Sequence, residues 1–121
     1  MSKTSFNKIL ILFALLLILS NLKAEAAFDY KTVWVSLTTI QCKKCVRNIN
    51  KALDNVRGVK YYSVDLDSQK VKVTYDHAVA TIYMIENAIT KAGYDANNRK
   101  AKKKAYDKLD DCCKLPKDRE K

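Results

Sequence analysis

The chain is 121 residues long, 30% charged, and carries a formal net charge of +10. That length is room for one small domain plus short extensions. With only two glycines, no Gly-rich phosphate loop and no Ser/His/Asp set, it offers no hydrolytic or group-transfer constellation and does not read as an enzyme. The basic charge is spread along the chain rather than gathered on an aromatic-studded surface, which reads as a solvated basic surface and not as a nucleic-acid site.

The chain opens on a targeting pattern. Lys3 and Lys8 form a basic start, Ile9 to Leu19 is apolar and uncharged, and Ala24-Glu25-Ala26 supplies a small-x-small cleavage site. The apolar run falls short of the roughly 20 residues that span a bilayer. Residues 1–26 are therefore expected to be a cleaved secretory signal, with a mature chain beginning near Ala27 and no stable membrane insertion afterwards. Cleavage removes Lys3, Lys8, Lys23 and Glu25, which lowers the net charge from +10 to +8. A periplasmic or secreted protein rarely meets nucleic acid; a weak pull towards anionic membranes is what the residual charge allows.

Lys31 to Thr38 alternates, with Val33, Val35 and Leu37 on one face and Trp34 on the more exposed one, which predicts a half-buried strand. Val46, Ile49, Leu53 and Val56 then recur at helical spacing, and Gly58 ends the helix. Tyr62, Val64 and Leu66 mark a second strand, Asp67-Ser68-Gln69 a turn, and Val71, Val73 and Tyr75 a third strand, as an antiparallel hairpin. Thr81 is a plausible N-cap for a second helix with Ile82, Ile85, Ile89 and Ala92 on its apolar face, stopped by Gly93. Strand, helix, strand, strand, helix closes a two-layer α+β sandwich with both helices on one face of the sheet. Leu53, Val64, Val73, Ile85 and Ile89 are its expected core. From Arg99 to Lys121 the chain is densely charged; Ala101, Ala105, Leu109 and Cys112 are spaced for a C-terminal helix ending at Leu115-Pro116.

Four cysteines fall in two close pairs, Cys42/Cys45 and Cys112/Cys113. A scaffold disulfide gains most by closing a long loop, so pairs this close read as sites rather than staples. Cys42 and Cys45 sit where the first strand gives way to a helix, and the free N–H groups and positive dipole end there favour thiolate over thiol. Lys43, Lys44 and Arg47 push the same way. Such a thiolate pair on an exposed turn grips a soft metal ion or exchanges disulfides.

Three marks at matching distances, Cys42-Lys43-Lys44-Cys45, Val56-Arg57-Gly58-Val59 and Lys91-Ala92-Gly93-Tyr94, give the segment 31–98 a resemblance to the heavy-metal-associated domain. That family is the ferredoxin-like βαββαβ module of copper chaperones, soft-metal ATPase tails and mercury-binding proteins. The resemblance implies a domain over 27–98, with a fourth strand that here is short or degenerate; residues 99–121, outside it, read from their composition as a charged helix or tail bearing the Cys-Cys pair. The resemblance also implies metal ligation by Cys42 and Cys45, with Ile40 as the apolar plug beneath the metal loop and Tyr94 as the aromatic beside it. Here Thr39, Ile40 and Gln41 stand where the family usually carries Gly-Met-Thr. One such domain behind a secretory signal is most similar to the periplasmic mercury-binding or bacterial copper-chaperone members.

The implied function is capture of Hg(II) or Cu(I) on the thiolate pair and its transfer, by ligand exchange, to a membrane transporter or other acceptor with a cysteine pair; a monomer suffices. Cys112 and Cys113 are a possible secondary or relay site, one of them joining as a transient third ligand. His77, after the third strand, is placed at the end of the domain away from the loop. Two alternatives remain. A thiol–disulfide redox protein also uses CxxC at a helix start, but lacks here a proline to face the cysteines, Pro116 being the only one. A structural zinc site would join all four cysteines, although adjacent Cys112 and Cys113 are awkward partners for one tetrahedral ion.

Overall fold

The structure, a computed structural model, describes residues 3–20 and 28–120. Helix α1 (Lys3–Leu19) is the apolar run of the sequence and is exposed along its whole length. At 17 residues it is below bilayer span, and among the described residues no helix is long and apolar enough to cross a membrane. The expected cleavage site at Ala24-Glu25-Ala26 and the mature start at Ala27 lie outside the described residues.

From residue 30 onward the chain builds three strands and two helices: β1 (Tyr30–Ser36), α2 (Lys43–Asp54), β2 (Val59–Asp65), β3 (Lys70–Asp76) and α3 (Ile82–Lys91). The sheet order is β1-β3-β2, and β3 pairs antiparallel with both neighbours. β1 and β2 therefore run parallel with β3 between them, the split βαβ arrangement. Period-two alternation sends Val35, Val71, Val73 and Tyr75 inward, while Trp34 stays 58% exposed under the ammonium of Lys72. Cys45, Ile49 and Leu53 recur every four residues along α2, and Ile85 and Ile89 do so along α3, so both helices bury one stripe on the same sheet face. Leu53, Val73, Ile85 and Ile89 are fully buried as the spacing predicts. Val64 is half-buried at the margin, because β2 is a sheet edge. Ile82, predicted on the apolar face, is 42% exposed: it opens the first turn of α3, beyond the edge of the core.

Thr81 caps α3 by accepting a bond from the Met84 amide at 3.2 Å. Gly58, at φ +96°, lets the chain turn from α2 into β2. The fourth strand is reduced to one residue. Asn97 takes φ +52°, and Ala96 and Arg99 exchange backbone bonds of 3.0 and 2.9 Å around an Asn-Asn turn. What survives beside β1 is the Asn97 amide bonded to the Ser36 carbonyl, answered by the Asn97 side chain accepting from the Ser36 amide. This turn reverses the chain and sends residues 99–120 back across the domain.

The returning segment is ordered but is not the helix its spacing predicts. It holds a five-residue helix, α4 (Lys103–Asp107), and two short 3-10 turns at Asp111–Cys113 and Pro116–Asp118. The helix ends at Asp107, two residues before Leu109, and Asp110 then leaves the helical path to pair with Lys44. Cys112 and Cys113 thus sit in a tight turn rather than at a helix end.

Candidate metal centre

Beyond β1 the chain is fixed at its root by the Leu37 amide on the Gln69 carbonyl at 2.8 Å. The Gln69 side-chain amide then reaches the carbonyls of Thr38 and Ile40, at 3.2 and 2.9 Å. Ile40, at the start of this loop, is buried in the core. Cys42 is the N-cap of α2, in extended conformation, with no side-chain capping bond. Its sulfur lies 3.6 Å from that of Cys45, one turn along, which accepts the Gln41 amide at 3.3 Å. The turn is less exposed than expected: Cys42 is half-buried and Cys45 is fully buried in the core, because it heads the apolar stripe of α2.

The second cysteine pair covers the first. Cys112 places its sulfur 2.9 Å from Cys42, and Cys113 places its own at 3.7 Å. The adjacent pair, which spacing makes awkward, is 3.9 Å apart and aimed at one spot. Cys42, Cys112 and Cys113 have sulfurs mutually within 4.8 Å, and Cys45 joins them through Cys42. None of the four is in a disulfide. Cys112 is exposed, whereas Cys113 is buried in the core cluster.

Four attachments hold the tail there. The Lys102 amide bonds the Thr90 carbonyl at 2.9 Å, and the Ala101 amide bonds the Asp95 carboxylate at 2.8 Å. Leu109 packs on the core margin, and Lys44, between the loop cysteines, pairs with Asp110 just before the tail cysteines. The tail also packs closely on Gly93, where a Cβ would meet the Ala105 backbone carbonyl and the Leu109 side chain at 3.1 Å.

Residues 32–95 match the profile of the heavy-metal-associated domain, over half of the chain. The chain belongs to the heavy-metal-associated domain family. It is similar to the mercuric transport protein periplasmic component of Shewanella putrefaciens, 36% identical over 79 residues, covering 65% of this chain and 85% of that one. It is 28% identical over 72 residues to copper-transporting ATPase 1 of Mus musculus, covering 60% of this chain but only 5% of the ATPase. Among solved structures it resembles oxidized MerP from Ralstonia metallidurans CH34, with a TM-score of 0.55 and 28% identity over 57% of this chain and 96% of that one.

Within this heavy-metal-associated domain the electrostatics separate the four sulfurs. Burial raises the Cys42 thiol, but hydrogen bonds from Cys112, from the Cys45 backbone and from the Cys45 and Cys113 thiols outweigh it and bring Cys42 down to about 6. Cys112, as donor to Cys42, is raised, and burial raises Cys113 far more. The stabilisation of Cys42 comes first from the Cys112 thiol and then from the Cys45 backbone N–H at the helix start; Lys44, expected to act on the loop, spends its charge first on Asp110.

Tyr94 is fully buried. Its hydroxyl accepts from the Asn48 side chain at 2.8 Å and donates to the Cys113 sulfur. Asn48 on α2 thus orients a tail cysteine through Tyr94, a role that spacing alone does not signal. Thr39 uses its hydroxyl to accept the Asp95 amide at 3.0 Å, tying the loop to the turn that launches the tail. His77 pairs with Asp29 next to Asp76, which is opposite Tyr30 in the sheet and so at the far end of β1 from the cysteines.

Proposed function

We propose that this chain captures a soft metal ion, Hg(II) or Cu(I), on Cys42 and Cys45 and passes it by thiolate exchange to a membrane transporter or other acceptor bearing a cysteine pair. The observation that carries this reading is the Cys42–Cys45 pair, 3.6 Å apart at the head of α2, in a domain of a metal-binding family. Thiolates select soft ions over hard ones. Near neutral pH Cys42 is largely ionised, so it attacks an incoming ion without first losing a proton. The relatives named above are transport proteins for mercury and copper, and no catalytic role is proposed.

In this reading residues 1–26 direct export to the periplasm or beyond, residues 27–98 are the metal-binding domain, and residues 99–121 are a tail that acts on the site. The protein works as a monomer. Ile40 supports the loop from below and Tyr94 from the side.

Native mass spectrometry under reducing conditions tests the reading. A Cys112→Ser/Cys113→Ser protein should still take up one Hg(II) or Cu(I), and adding Cys42→Ser should abolish that uptake. Stoichiometric binding that survives the triple substitution overturns the proposal. Competition between the two ions in the same samples decides which is preferred.

A further inference from the structure

We infer that Cys112 and Cys113 belong to the same site as Cys42 and Cys45, so that the four sulfurs close around one divalent d10 ion of the Zn(II), Cd(II), Hg(II) series. This rests on the capture reading above and names the class of ion and the coordination that reading leaves open.

The sulfur spacing is the main argument. A tetrahedral ion with metal–sulfur bonds of about 2.3 Å has sulfur–sulfur edges of about 3.8 Å, whereas two such bonds in line set their sulfurs about 4.6 Å apart. The separations Cys42–Cys45, Cys42–Cys113 and Cys112–Cys113 are 3.6, 3.7 and 3.9 Å. All three are near a tetrahedral edge, and the loop pair is about an ångström too close for linear coordination. Cys42, Cys112 and Cys113 lie mutually within 4.8 Å and Cys45 falls outside that set, so closure needs Cys112, exposed on a short turn and 2.9 Å from Cys42, to shift. Cu(I), which two thiolates satisfy, has no need of this closure.

The tail is also built in rather than resting on the surface. Cys113 is fully buried and oriented by the Tyr94 hydroxyl, which the Asn48 amide holds in turn. This is the support from behind that metal ligands typically receive. Four thiolates around a divalent ion leave a double negative charge, and Lys44, placed between the loop cysteines in sequence, is tied to Asp110 just before the tail pair. The four ligands divide the work. Buried Cys45 and Cys113 anchor the ion, and exposed Cys112 is the ligand an acceptor displaces. In that exchange the acceptor thiol gives its proton to solvent and bonds the ion, the bond to Cys112 breaks, and the Cys112 thiolate takes up a proton.

Cadmium is the probe, added as the free ion to the full, reduced chain. Charge-transfer absorption and the 113Cd chemical shift count thiolates, and alkylation mapped by mass spectrometry shows which cysteines are covered. One equivalent should protect all four cysteines and give a four-thiolate signature. Cys112→Ser, at an exposed position, should drop the count to three, and Cys112→Ser/Cys113→Ala to two. Each lost sulfur should weaken binding by about tenfold or more. One equivalent of Cu(I) should protect Cys42 and Cys45 and leave Cys112 open to alkylation. Two thiolates around cadmium in the wild type, with Cys112 and Cys113 still alkylated, overturns the inference and leaves capture by Cys42 and Cys45 standing. Full protection of all four cysteines by one Cu(I) overturns the assignment to divalent ions. Cadmium binding unchanged in Cys42→Ser overturns the capture reading itself.

Discussion

Substituting the two glycines separately tests whether the tail is held where the fold places it. Gly58 and Gly93 both have left-handed backbones, at φ +96° and +104°. Alanine in that region costs about 1–2 kcal/mol in strain. A stiffer unfolded chain returns about 0.4–1 kcal/mol of it. Each variant should therefore lose about 1 kcal/mol before its new methyl group meets anything. The neighbours differ. At Gly58 the methyl meets the side chains of Ala80 and Val79 at 3.0–3.1 Å, far from the cysteines. At Gly93 it meets the backbone carbon and oxygen of Ala105 at 3.1 Å, which move only if α4 moves. The tail is the outer partner, packed on a sandwich that is complete without it, so it gives way before the sandwich does. A further loss of about 1 kcal/mol in docking raises its open population about fivefold. Gly93→Ala should then speed alkylation of Cys113 in the reduced, metal-free protein by about that factor. Gly58→Ala should lose similar stability in urea while Cys113 keeps its wild-type rate. Equal Cys113 rates in the two variants refute the argument that α4 bears on Gly93.

The core and the thiolate give two further tests. Ile85 is fully buried between α3 and the sheet, so Ile85→Ala should cost about 2–4 kcal/mol in urea melts. A loss below about 1 kcal/mol would mean the site collapses onto the gap without penalty. Alkylation of Cys42 in the metal-free chain should follow a thiolate that titrates near 6: fast at neutral pH, falling as pH drops through 6. In Cys112→Ala the midpoint should move up towards the ordinary 9.0, because the leading stabilising hydrogen bond is gone. An unchanged midpoint in that variant would place the cause elsewhere.

Much of this protein is written in local pattern. Alternation at Val33, Val35, Val71 and Val73, four-residue recurrence at Ile49/Leu53 and Ile85/Ile89, Thr81 as a cap and Gly58 and Gly93 as stops are each fixed by neighbours in sequence. Period and turn chemistry act over a few residues, so the sandwich and the place of Cys42 and Cys45 at a helix start follow from the chain alone. The tail shows where that reasoning stops. Spacing from Ala101 to Cys112 suggests one helix with Cys112 on its apolar face, yet the helix ends at Asp107 and it is Cys113 that enters the core. What decides this lies far away in sequence: Gly93 and Thr90 receive α4, Lys44 holds Asp110, and Tyr94 receives Cys113. The meeting of Cys42 with Cys112 across 70 positions is likewise a consequence of the Asn97-Asn98 turn that replaces a fourth strand. Local sequence fixes which residues can be ligands, by giving them thiols and a helix start. Only packing decides that all four point at one place, because the energy that docks a tail comes from surfaces the rest of the fold must first create.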